Sequence, residues 1–447
     1  MNEQISRWLS DAGFADQRAA LRSLRTVIGL SGQAQSALGD WLPNLLAALG
    51  ESANPDRALV NLERLARAVP DAEALFRDLG DDPHLLETLI TLFCGSQYLS
   101  EILLRNPVYV ERLRDPKRLA QAKSPQQFDH EAREALESAP GQNHADRATC
   151  LNALRRFQRW EMLRLGVCDL LGQLDLPTVT TQLAHLADSL VRACLLLAAE
   201  ETRTSPQGFA VLALGKLGGA ELNYSSDIDL IFLAAANASA YGRLGENLID
   251  ALTCTTAEGF LYRVDMRLRP WGRDGPLISS VDGYLAYLRK HARMWEKQAL
   301  LKARVIAGEE EVGRAFLEQA APLIYDPPPA AVRDGVREMK RRIEAELERN
   351  GQSWGQVKLG KGSIRDIEFV TQYLQLVHGA ACPAVRSPNT LDALSRLRTC
   401  GFLSSDEYRI LSDGYTFLRP VEHLLQMMDY RQTHTIPKED REIAYLA

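Results

Sequence analysis

The stretch that decides the fold is GKLGGAELNYSSDIDLIFL, residues 215–233. It follows the apolar run GFAVLALG (208–215) and contains a second apolar run, DIDLIFLA (227–234). Runs this short, bounded by turn residues, are typical of buried strands rather than helices. The sequence therefore predicts two buried strands joined by a turn that is rich in glycine and serine.

Two aspartates begin the second of these strands. Because side chains alternate along a strand, Asp227 and Asp229 project from the same face, with Ile228 turned toward the core. Two carboxylates so close together repel each other, and their joint burial requires a cation. Hard oxygen ligands suit Mg²⁺, which commonly binds one or two carboxylates together with substrate phosphates. The alternative for an isolated pair of aspartates is an exposed strand start without a metal.

The turn between the two strands carries glycines and polar side chains. Gly215, Gly218 and Gly219 leave backbone N–H groups open to a phosphate, because no side chain obstructs its approach. Lys216 and the Ser226 hydroxyl are candidates for contacting the same phosphate. The alternative is an ordinary turn between strands, with the serine capping it and Lys216 in an ion pair.

A third run, LYRVDMRLRP (261–270), alternates apolar and polar residues, which predicts another strand. Its polar face carries Asp265 among arginines, of which Arg267 and Arg269 are candidates for a bidentate contact with phosphate. Two acids one residue apart, with a third on another strand, match the ligands of two-metal phosphoryl transfer. A structural ladder of ion pairs is the alternative.

The overall composition is that of a globular protein with several domains. The 447 residues include 52 Lys and Arg against 58 Asp and Glu, a net charge of −6 with histidine neutral. This acidic balance, without interleaved basic and aromatic residues, disfavours nucleic-acid binding. The cysteines form no CxxC pair, the first residues lack a signal-peptide core, and no run approaches the ~20 apolar residues of a membrane span. We expect a cytoplasmic protein that binds neither nucleic acid nor membrane.

Helical periodicity dominates on both sides of the strands, so the fold class is predicted as α+β and predominantly helical. Residues 284–304 and 332–347 predict helices, a further helix begins at Ser363, and the polar residues 119–147 predict a linker. Three units are expected: a helical region (1–118), a domain that contains the strands and the helices leading to them (119–330), and a helical bundle (331–447).

Four side chains outside these motifs are expected to be structural. Tyr287 and Trp295 lie eight residues apart on one helical face, so we expect core packing rather than stacking on a base. Arg365 and Glu368 are expected to form a junction between the catalytic domain and the last helices.

The stretch from Gly215 to Leu230, followed by Asp265, resembles the active-site signature of the DNA-polymerase-β-type nucleotidyltransferases. More narrowly, the chain resembles the glutamine synthetase adenylyltransferase family in a series of blocks that occur in order. These are GSQYLSEILLRNPVYVERL (95–113), LRRFQRWEMLRLGVCDLLG (154–172), GFAVLALGKLGGAELNYSSDIDLIF (208–232), YRVDMRLRPWGRDGPL (262–277), WEKQALLKARVIAG (295–308), VKLGKGSIRDIEFVTQ (357–372) and LRPVEHLLQMMDYRQTHTIP (418–437). One departure is Lys361-Gly362-Ser363, where we expect an Arg-Gly-Gly-like sequence.

The resemblance implies a polymerase-β-like mixed sheet flanked by large helical regions. It implies two Mg²⁺ ions held by Asp227, Asp229 and Asp265. Family proteins are longer than this chain; their N-terminal half removes AMP from a tyrosine of glutamine synthetase, using inorganic phosphate and releasing ADP, and their C-terminal half attaches it. The resemblance identifies this chain with the N-terminal half of a longer polypeptide, and it implies the uridylylated PII signal protein as activator.

Two alternatives to AMP removal stay open on the sequence. ATP-dependent transfer of AMP to a protein tyrosine uses the same metal site, so the residues alone do not separate the two directions. A regulatory docking module for a PII-type protein, without catalysis, is the other. The three intact aspartates, Asp227, Asp229 and Asp265, argue against lost catalysis.

Overall fold

A computed structural model of the protein describes residues 8–10, 12–31, 38–138, 146–325, 327–352, 354–429 and 433–438. The fold is α+β and predominantly helical, as predicted, with a five-stranded mixed sheet. Helices before the sheet are Gln17–Leu30, Leu38–Glu51, Pro55–Ala68, Ala72–Asp81, Pro83–Gly95, Gln97–Arg105, Tyr109–Arg112, Pro116–Leu119, Pro125–Glu137, Arg147–Leu170 and Leu176–Thr202. Helices within and after it are Gly215–Gly218, Gly242–Thr253, Val281–Lys290, Met294–Leu300, Glu310–Ile324, Pro329–Arg349, Ile364–His378, Thr390–Thr399 and Ser405–Asp429, and 3₁₀ turns are Ala238–Tyr241, Gly272–Asp274 and Pro383–Val385.

The N-terminal region is a series of short helices, as the sequence predicts. Several begin at an Asx-Pro pair, because the side chain accepts a backbone N–H of the first turn and proline fits the first helical position. Asn54 accepts from Arg57 N–H at 3.1 Å and Asp82 from Leu85 N–H at 3.0 Å. The turn chemistry in the sequence therefore marks helix starts.

The linker expected over residues 119–147 is wrong for most of its length. Residues Pro125–Glu137 form a helix with a capping box, in which Ser124 and Gln127 bond each other's backbone. The helix buries Phe128 completely and Ala132 almost completely. Two apolar contacts among many charges are enough to dock it, and a weak periodicity hides them in the sequence.

The sheet has the strand order β3-β2-β1-β5, with β4 also paired to β2, and its strands are β1 (Phe209–Leu214), β2 (Ile228–Ala234), β3 (Val264–Asp265), β4 (Ile278–Ser280) and β5 (Arg304–Gly308). β1 is antiparallel to β2 and to β5, whereas β2 is parallel to β3 and β4. Every residue of β1 and β2 is buried except Asp229, which is half-buried. The two strands expected from the apolar runs are therefore confirmed.

The third predicted strand is much shorter than its alternating pattern indicates. Pairing ends at Asp265, where the carboxylate accepts the Arg267 N–H at 2.8 Å and closes a turn. The Arg269 guanidinium then donates to backbone oxygens of Met266, Arg273 and Gly275 at 2.9–3.3 Å. Hydrogen bonds within this loop replace the ladder, so the strand predicted over residues 261–270 is wrong beyond Asp265.

A continuous helix over residues 284–304 is also wrong. The first helix ends at Lys290, and Met294–Leu300 is a separate helix, whose start is fixed by Glu296 accepting the Arg293 N–H at 2.8 Å. Residues Arg304–Gly308 then join the sheet as β5. The sequence hides this edge strand because it is short and directly follows basic helical residues.

The helix Leu176–Thr202 contributes a large part of the core. By length and composition it is long and apolar enough to cross a membrane, contrary to the expectation that no segment qualifies. However, 72% of the most apolar 18-residue stretch of this helix is buried within the structure, as in a core helix. Its neighbours include Pro125–Glu137 and β5, so it packs between the N-terminal helices and the sheet.

The C-terminal helices predicted from residues 332–347 and from Ser363 are confirmed as Pro329–Arg349 and Ile364–His378. Ser363 lies at the expected cap position, but its hydroxyl donates to the Lys358 carbonyl at 2.7 Å. The Asp366 carboxylate accepts the Gly362 N–H at 2.8 Å instead. The loop before this helix is thereby folded back onto Lys358.

Candidate active site

The three predicted aspartates meet at one edge of the sheet. In the parallel pairing of β2 with β3, Asp229 lies in register with Asp265, and in the antiparallel pairing with β1 it lies opposite Leu214. Asp227 directly precedes β2. The structure therefore brings together the aspartates that the sequence singles out.

Asp229 is the central and most buried of these carboxylates. Burial, together with the negative charges of Asp265 and Asp227, raises the pKa of Asp229 to about 6. The positive charges of Lys358 and Arg267 act in the opposite direction and only partly compensate. Burial and the neighbouring carboxylates therefore both disfavour the charged form of Asp229.

The two outer carboxylates are each held by an arginine. Arg263 Nε donates to Asp227, and its Nη2 donates to the Ser225 carbonyl at 2.8 Å. Arg267 Nε donates to Asp265 at 2.7 Å. Partial burial alone would raise the pKa of Asp265, but the hydrogen bonds from Arg267 lower it. Among the residues that the structure describes, no three His, Cys, Asp or Glu side chains converge as a ready metal cage.

The glycines of the turn have different roles. Gly215 has φ +57°, and a Cβ there would overlap the Asp229 carboxylate. A Cβ on Gly218 would overlap the Lys302 carbonyl, and one on Gly219 would lie 2.9 Å from the Pro388 carbonyl. Gly218 and Gly219 are buried and permit close packing, so of the three glycines proposed to cradle phosphate only Gly215 lines the cavity described next.

A cavity of about 280 Å³ opens beside Asp229. The sheet side contributes Gly215, Lys216 and Asp229, and the C-terminal region contributes Lys358 and Arg365. A larger cavity of about 490 Å³, beside an exposed tryptophan on the far side of the sheet edge, is lined by uncharged residues. Of these two cavities in the described part of the chain, the one that contains Asp229 has the positively charged lining suited to an anionic substrate.

Lys216 reaches from the turn into a buried acidic neighbourhood. Its Nζ donates to Oε2 of Glu422 at 2.7 Å, and Glu422 also accepts from Asn223 at 3.0 Å. Burial lowers the pKa of Lys216 to about 7, against the opposing effect of Glu422. The structure thus places Lys216 in the cavity lining and pairs it with a carboxylate from the helix Ser405–Asp429, which is the ion pair given as the alternative to phosphate binding.

A buried hydrogen-bond network joins the same turn to the C-terminal helices. Glu221 accepts the Thr390 N–H at 2.5 Å, the Tyr415 hydroxyl, and Lys302 at 3.4 Å. Arg419 donates to the Glu221 carbonyl at 2.8 Å. Because these groups are buried and paired, they fix the C-terminal helices against the glycine turn.

Three other candidates lie outside the cavity lining. The Arg267 side chain is 64% exposed and pairs with Asp265, while Arg269 is engaged by the backbone of its own loop. Ser226 is half-buried beside Asp227, and its N–H donates to the Asn223 carbonyl at 3.3 Å. In this conformation none of the three faces the space beside Asp229.

Sequence reasoning missed several residues that line the cavity. Trp295 was expected in the core but is 38% exposed there, and Arg365 lines the cavity as well as contacting Glu368 at 3.4 Å. Glu368 is buried, and its Oε1 lies 3.6 Å from Nζ of Lys302, so it contributes to the expected junction with the last helices. The residues in the block 357–372 carry no local motif, because Lys358 and Arg365 lie seven positions apart and a loop brings them together.

A mixed sheet whose edge carries three aspartates, beside a glycine turn and a cationic cavity, defines the class of the protein as a nucleotidyltransferase. Residues 86–319, just over half of the chain, match the sequence model of the family described as glutamate-ammonia ligase adenylyltransferase. Residues 337–447 match the one described as GlnD PII-uridylyltransferase. The chain belongs to the glutamate-ammonia ligase adenylyltransferase family.

Curated relatives carry the name bifunctional glutamine synthetase adenylyltransferase/adenylyl-removing enzyme. The protein from Streptomyces avermitilis is 36% identical, over 96% of this chain and 42% of its own length. The protein from Nitrosococcus oceani is 33% identical, over 97% of this chain and 48% of its own, and that from Pseudomonas aeruginosa is 33% identical over 89% and 42%. The chain spans less than half of the length of these relatives.

Proposed function

We propose that the protein removes AMP from an adenylylated tyrosine of glutamine synthetase by phosphorolysis, releasing ADP and unmodified enzyme. The observation that carries the proposal is the cavity beside Asp229, whose lining also includes Lys216, Lys358 and Arg365. Phosphorolysis brings an anionic nucleophile to an anionic phosphodiester, so its main difficulty is electrostatic. Positively charged side chains in the cavity lining would lessen that repulsion.

The reaction balances without an acid or base from the protein. An oxygen of inorganic phosphate forms a bond to the phosphorus of the adenylyl-tyrosine, and the bond from that phosphorus to the tyrosine oxygen breaks. The electron pair leaves on the phenolate, which takes a proton from water because its pKa is about 10. Lys216 and Arg365 would hold phosphoryl oxygens, and their charges would lower the repulsion between the two anions.

Asp227, Asp229 and Asp265 are the residues that would hold Mg²⁺, as two ions. Carboxylate oxygens are the ligands that Mg²⁺ prefers, and a bound cation would offset the burial and the carboxylate repulsion that raise the pKa of Asp229. Arg263 and Arg267 occupy the outer carboxylates and would release them. When bound, the ions would neutralise the phosphoryl oxygens during transfer.

The direct test incubates the chain with adenylylated glutamine synthetase, inorganic phosphate and Mg²⁺, and measures ADP. We expect ADP release that requires phosphate and is lost in Asp229→Asn. The matched control is Asp334→Asn, which removes an exposed surface carboxylate on the helix Pro329–Arg349. Both proteins are compared with the wild-type chain by circular dichroism, so that loss of activity is separated from loss of fold.

The same assay distinguishes the alternatives. Incorporation of AMP from ATP into unmodified glutamine synthetase, without phosphate-dependent ADP release, would overturn removal in favour of transfer. Absence of both activities, with binding of a PII-type protein, would favour the docking module. The relatives' printed names include both the transfer and the removal activity, so the two arms are run in parallel.

The proposal includes the uridylylated PII protein as activator, in the cytoplasm. The match of residues 337–447 to a model named for PII-uridylyltransferase supports a link to the same signalling system. Adding uridylylated PII protein to the assay should raise the initial rate of ADP release. An equal rate of ADP release with and without the uridylylated PII protein would show that this protein is not an activator. It would not affect the proposed removal of AMP.

A further inference from the structure

We propose that Lys358 and Arg365 form a binding site for a phosphate group in the wall that the C-terminal region contributes to the Asp229 cavity. Which molecule carries this phosphate group depends on the proposed function. Removal of AMP would place inorganic phosphate there, whereas transfer of AMP would place the terminal phosphates of ATP. Both ligands present the same chemistry, a phosphoryl group with exposed anionic oxygens.

The loop between the two residues brings them side by side. The Arg365 N–H donates to the Lys358 carbonyl at 3.0 Å, and the Ser363 hydroxyl donates to the same oxygen at 2.7 Å. Gly362 has φ +70°, a conformation that glycine adopts without strain, and it allows the chain to reverse. Two cations seven residues apart in sequence are therefore held on one turn.

Arg365 has an unsatisfied donor at the cavity. Its Nε is buried and has no hydrogen-bond partner among the described residues; the Glu368 carboxylate lies 3.4 Å away without hydrogen-bond geometry. The guanidinium carbon lies 5.6 Å from the Phe369 ring centroid, which restricts the side chain. Because Arg365 lines the cavity, a ligand with several acceptor oxygens would bond the terminal N–H groups of its guanidinium.

Lys358 is also incompletely neutralised. In the described part of the chain, the one carboxylate within 4 Å of its Nζ belongs to Glu422, at 3.9 Å. Glu422 is shared, because it also accepts from Lys216 at 2.7 Å and lies 3.1 Å from Nδ1 of His434. Lys358 and Asp229 line the same cavity, so the charge of Lys358 is available to an anion bound there.

Lys302 lines the same cavity and provides a contrast. Its Nζ contacts the Glu221 carboxylate at 3.4 Å, the Thr390 hydroxyl at 3.1 Å and Glu368 at 3.6 Å. These partners satisfy its charge and its donors, so Lys302 belongs to the buried network rather than to a ligand site. Lys358 and Arg365 are the cations on this wall that retain capacity for an external anion.

Direct binding tests the site without catalysis. Isothermal titration of the full chain with inorganic phosphate, and separately with ATP, is compared for wild type, Lys358→Gln and Arg365→Gln. We expect each variant to bind its anion at least about tenfold more weakly, since tenfold corresponds to about 1.4 kcal/mol and each change removes a charged hydrogen bond. The matched control is Lys361→Gln, an exposed lysine on the same loop that does not line the cavity.

The outcomes of these measurements distinguish failure of the phosphate site from failure of the proposed function. Weaker phosphate binding in both variants, with a raised KM for phosphate and little change in the KM for adenylylated glutamine synthetase, supports the site in the removal reaction. Weaker ATP binding with unchanged phosphate binding supports the site and overturns removal. If both variants bind both anions as wild type does, or if the wild-type chain binds neither saturably, the phosphate site is wrong. Arg365→Lys, which keeps the charge and loses the paired N–H groups, replaces the glutamine variant if that variant does not fold.

Discussion

The carboxylate of Asp229 occupies the space into which a side chain at Gly215 would project. A Cβ on Gly215 would overlap Oδ2 of Asp229, and the backbone at Gly215 has φ +57°. Strand pairing sets this proximity, because Leu214, the residue before the glycine, lies opposite Asp229. The first glycine of the turn is therefore required by the position of the Asp229 carboxylate, in addition to any approach of a phosphate.

Replacing Gly215 by alanine should cost both stability and activity. Alanine at positive φ typically costs about 1–2 kcal/mol. The methyl group would also displace the Asp229 carboxylate. We expect a lower free energy of unfolding in urea and a loss of ADP release beyond what the lost stability explains.

Gly172→Ala is the matched control for backbone strain. Gly172 has φ +63°, and nothing lies within 4 Å of its Cβ position. This variant should lose a similar free energy of unfolding and keep its activity. Equal activity in the Gly215 and Gly172 variants would contradict the role of Gly215 in placing Asp229.

Asp229→Asn should separate catalysis from folding. The carboxylate is largely buried and is repelled by Asp227 and Asp265, so its charge does not stabilise the metal-free protein. We expect urea unfolding without Mg²⁺ to show no loss of free energy, while ADP release is abolished. Asp227→Asn should also abolish ADP release, but it removes the ion pair with the partly exposed Arg263, whose contribution is below about 1 kcal/mol. Near-normal turnover in either variant would refute the assignment.

The sequence predicts the buried strands and the aspartates because both signals are local. Two short apolar runs around a glycine turn specify β1 and β2, and alternation along β2 places Asp227 and Asp229 on one face. The alternation over residues 261–270 is equally regular, yet pairing stops at Asp265. Beyond Asp265, hydrogen bonds from polar side chains to nearby backbone groups replace the hydrogen bonds between strands. A periodic pattern in the sequence does not reveal these local hydrogen bonds.

The far wall of the cavity could not be predicted, because it depends on contacts between distant segments. Glu422 reaches Lys216 across more than two hundred residues of sequence, and Lys358 and Arg365 enter the cavity only because the last helices pack on the turn. Trp295 shows the same effect: its helical spacing is that of a core residue, but the helix Met294–Leu300 is short and presents it to the cavity. A sequence pattern specifies a face of an element and not what covers that face.

Arg269 should prove structural, although it was a candidate for binding phosphate. Its guanidinium donates to backbone oxygens of Met266, Arg273 and Gly275. These hydrogen bonds leave no pair of adjacent N–H groups for bidentate binding of an anion. We expect Arg269→Ala to lower the free energy of unfolding by about 1–3 kcal/mol and to speed proteolysis of the 270–275 loop. Arg267→Ala, at a side chain that is 64% exposed, should leave both nearly unchanged and serves as the control. Equal effects of the two variants on loop proteolysis would contradict this division.

Glu368 should make stability depend on pH in the acid range. Burial alone would raise its pKa, but Lys302, Arg365 and Lys358 overcome burial and lower the pKa of Glu368 to about 2, from an ordinary value of 4.5. A carboxylate whose pKa is lowered by folding stabilises the protein fully above the unfolded pKa, and that contribution is lost as the pH falls toward the folded pKa. We therefore expect Glu368→Gln to lower the free energy of unfolding by on the order of 3 kcal/mol at neutral pH.

The difference between wild type and Glu368→Gln should stay constant above about pH 5 and shrink steadily below pH 4.5 as the unfolded chain takes up its proton. Urea unfolding at a series of pH values measures it. Glu318→Gln is the control, because its ion pair with Arg314 is exposed and 3.8 Å long, and it should cost less than about 1 kcal/mol. A difference between wild type and Glu368→Gln that grows as the pH falls would mean that burial, and not the surrounding lysines and arginine, dominates this carboxylate. In that case the buried network would not be held together by the charge of Glu368.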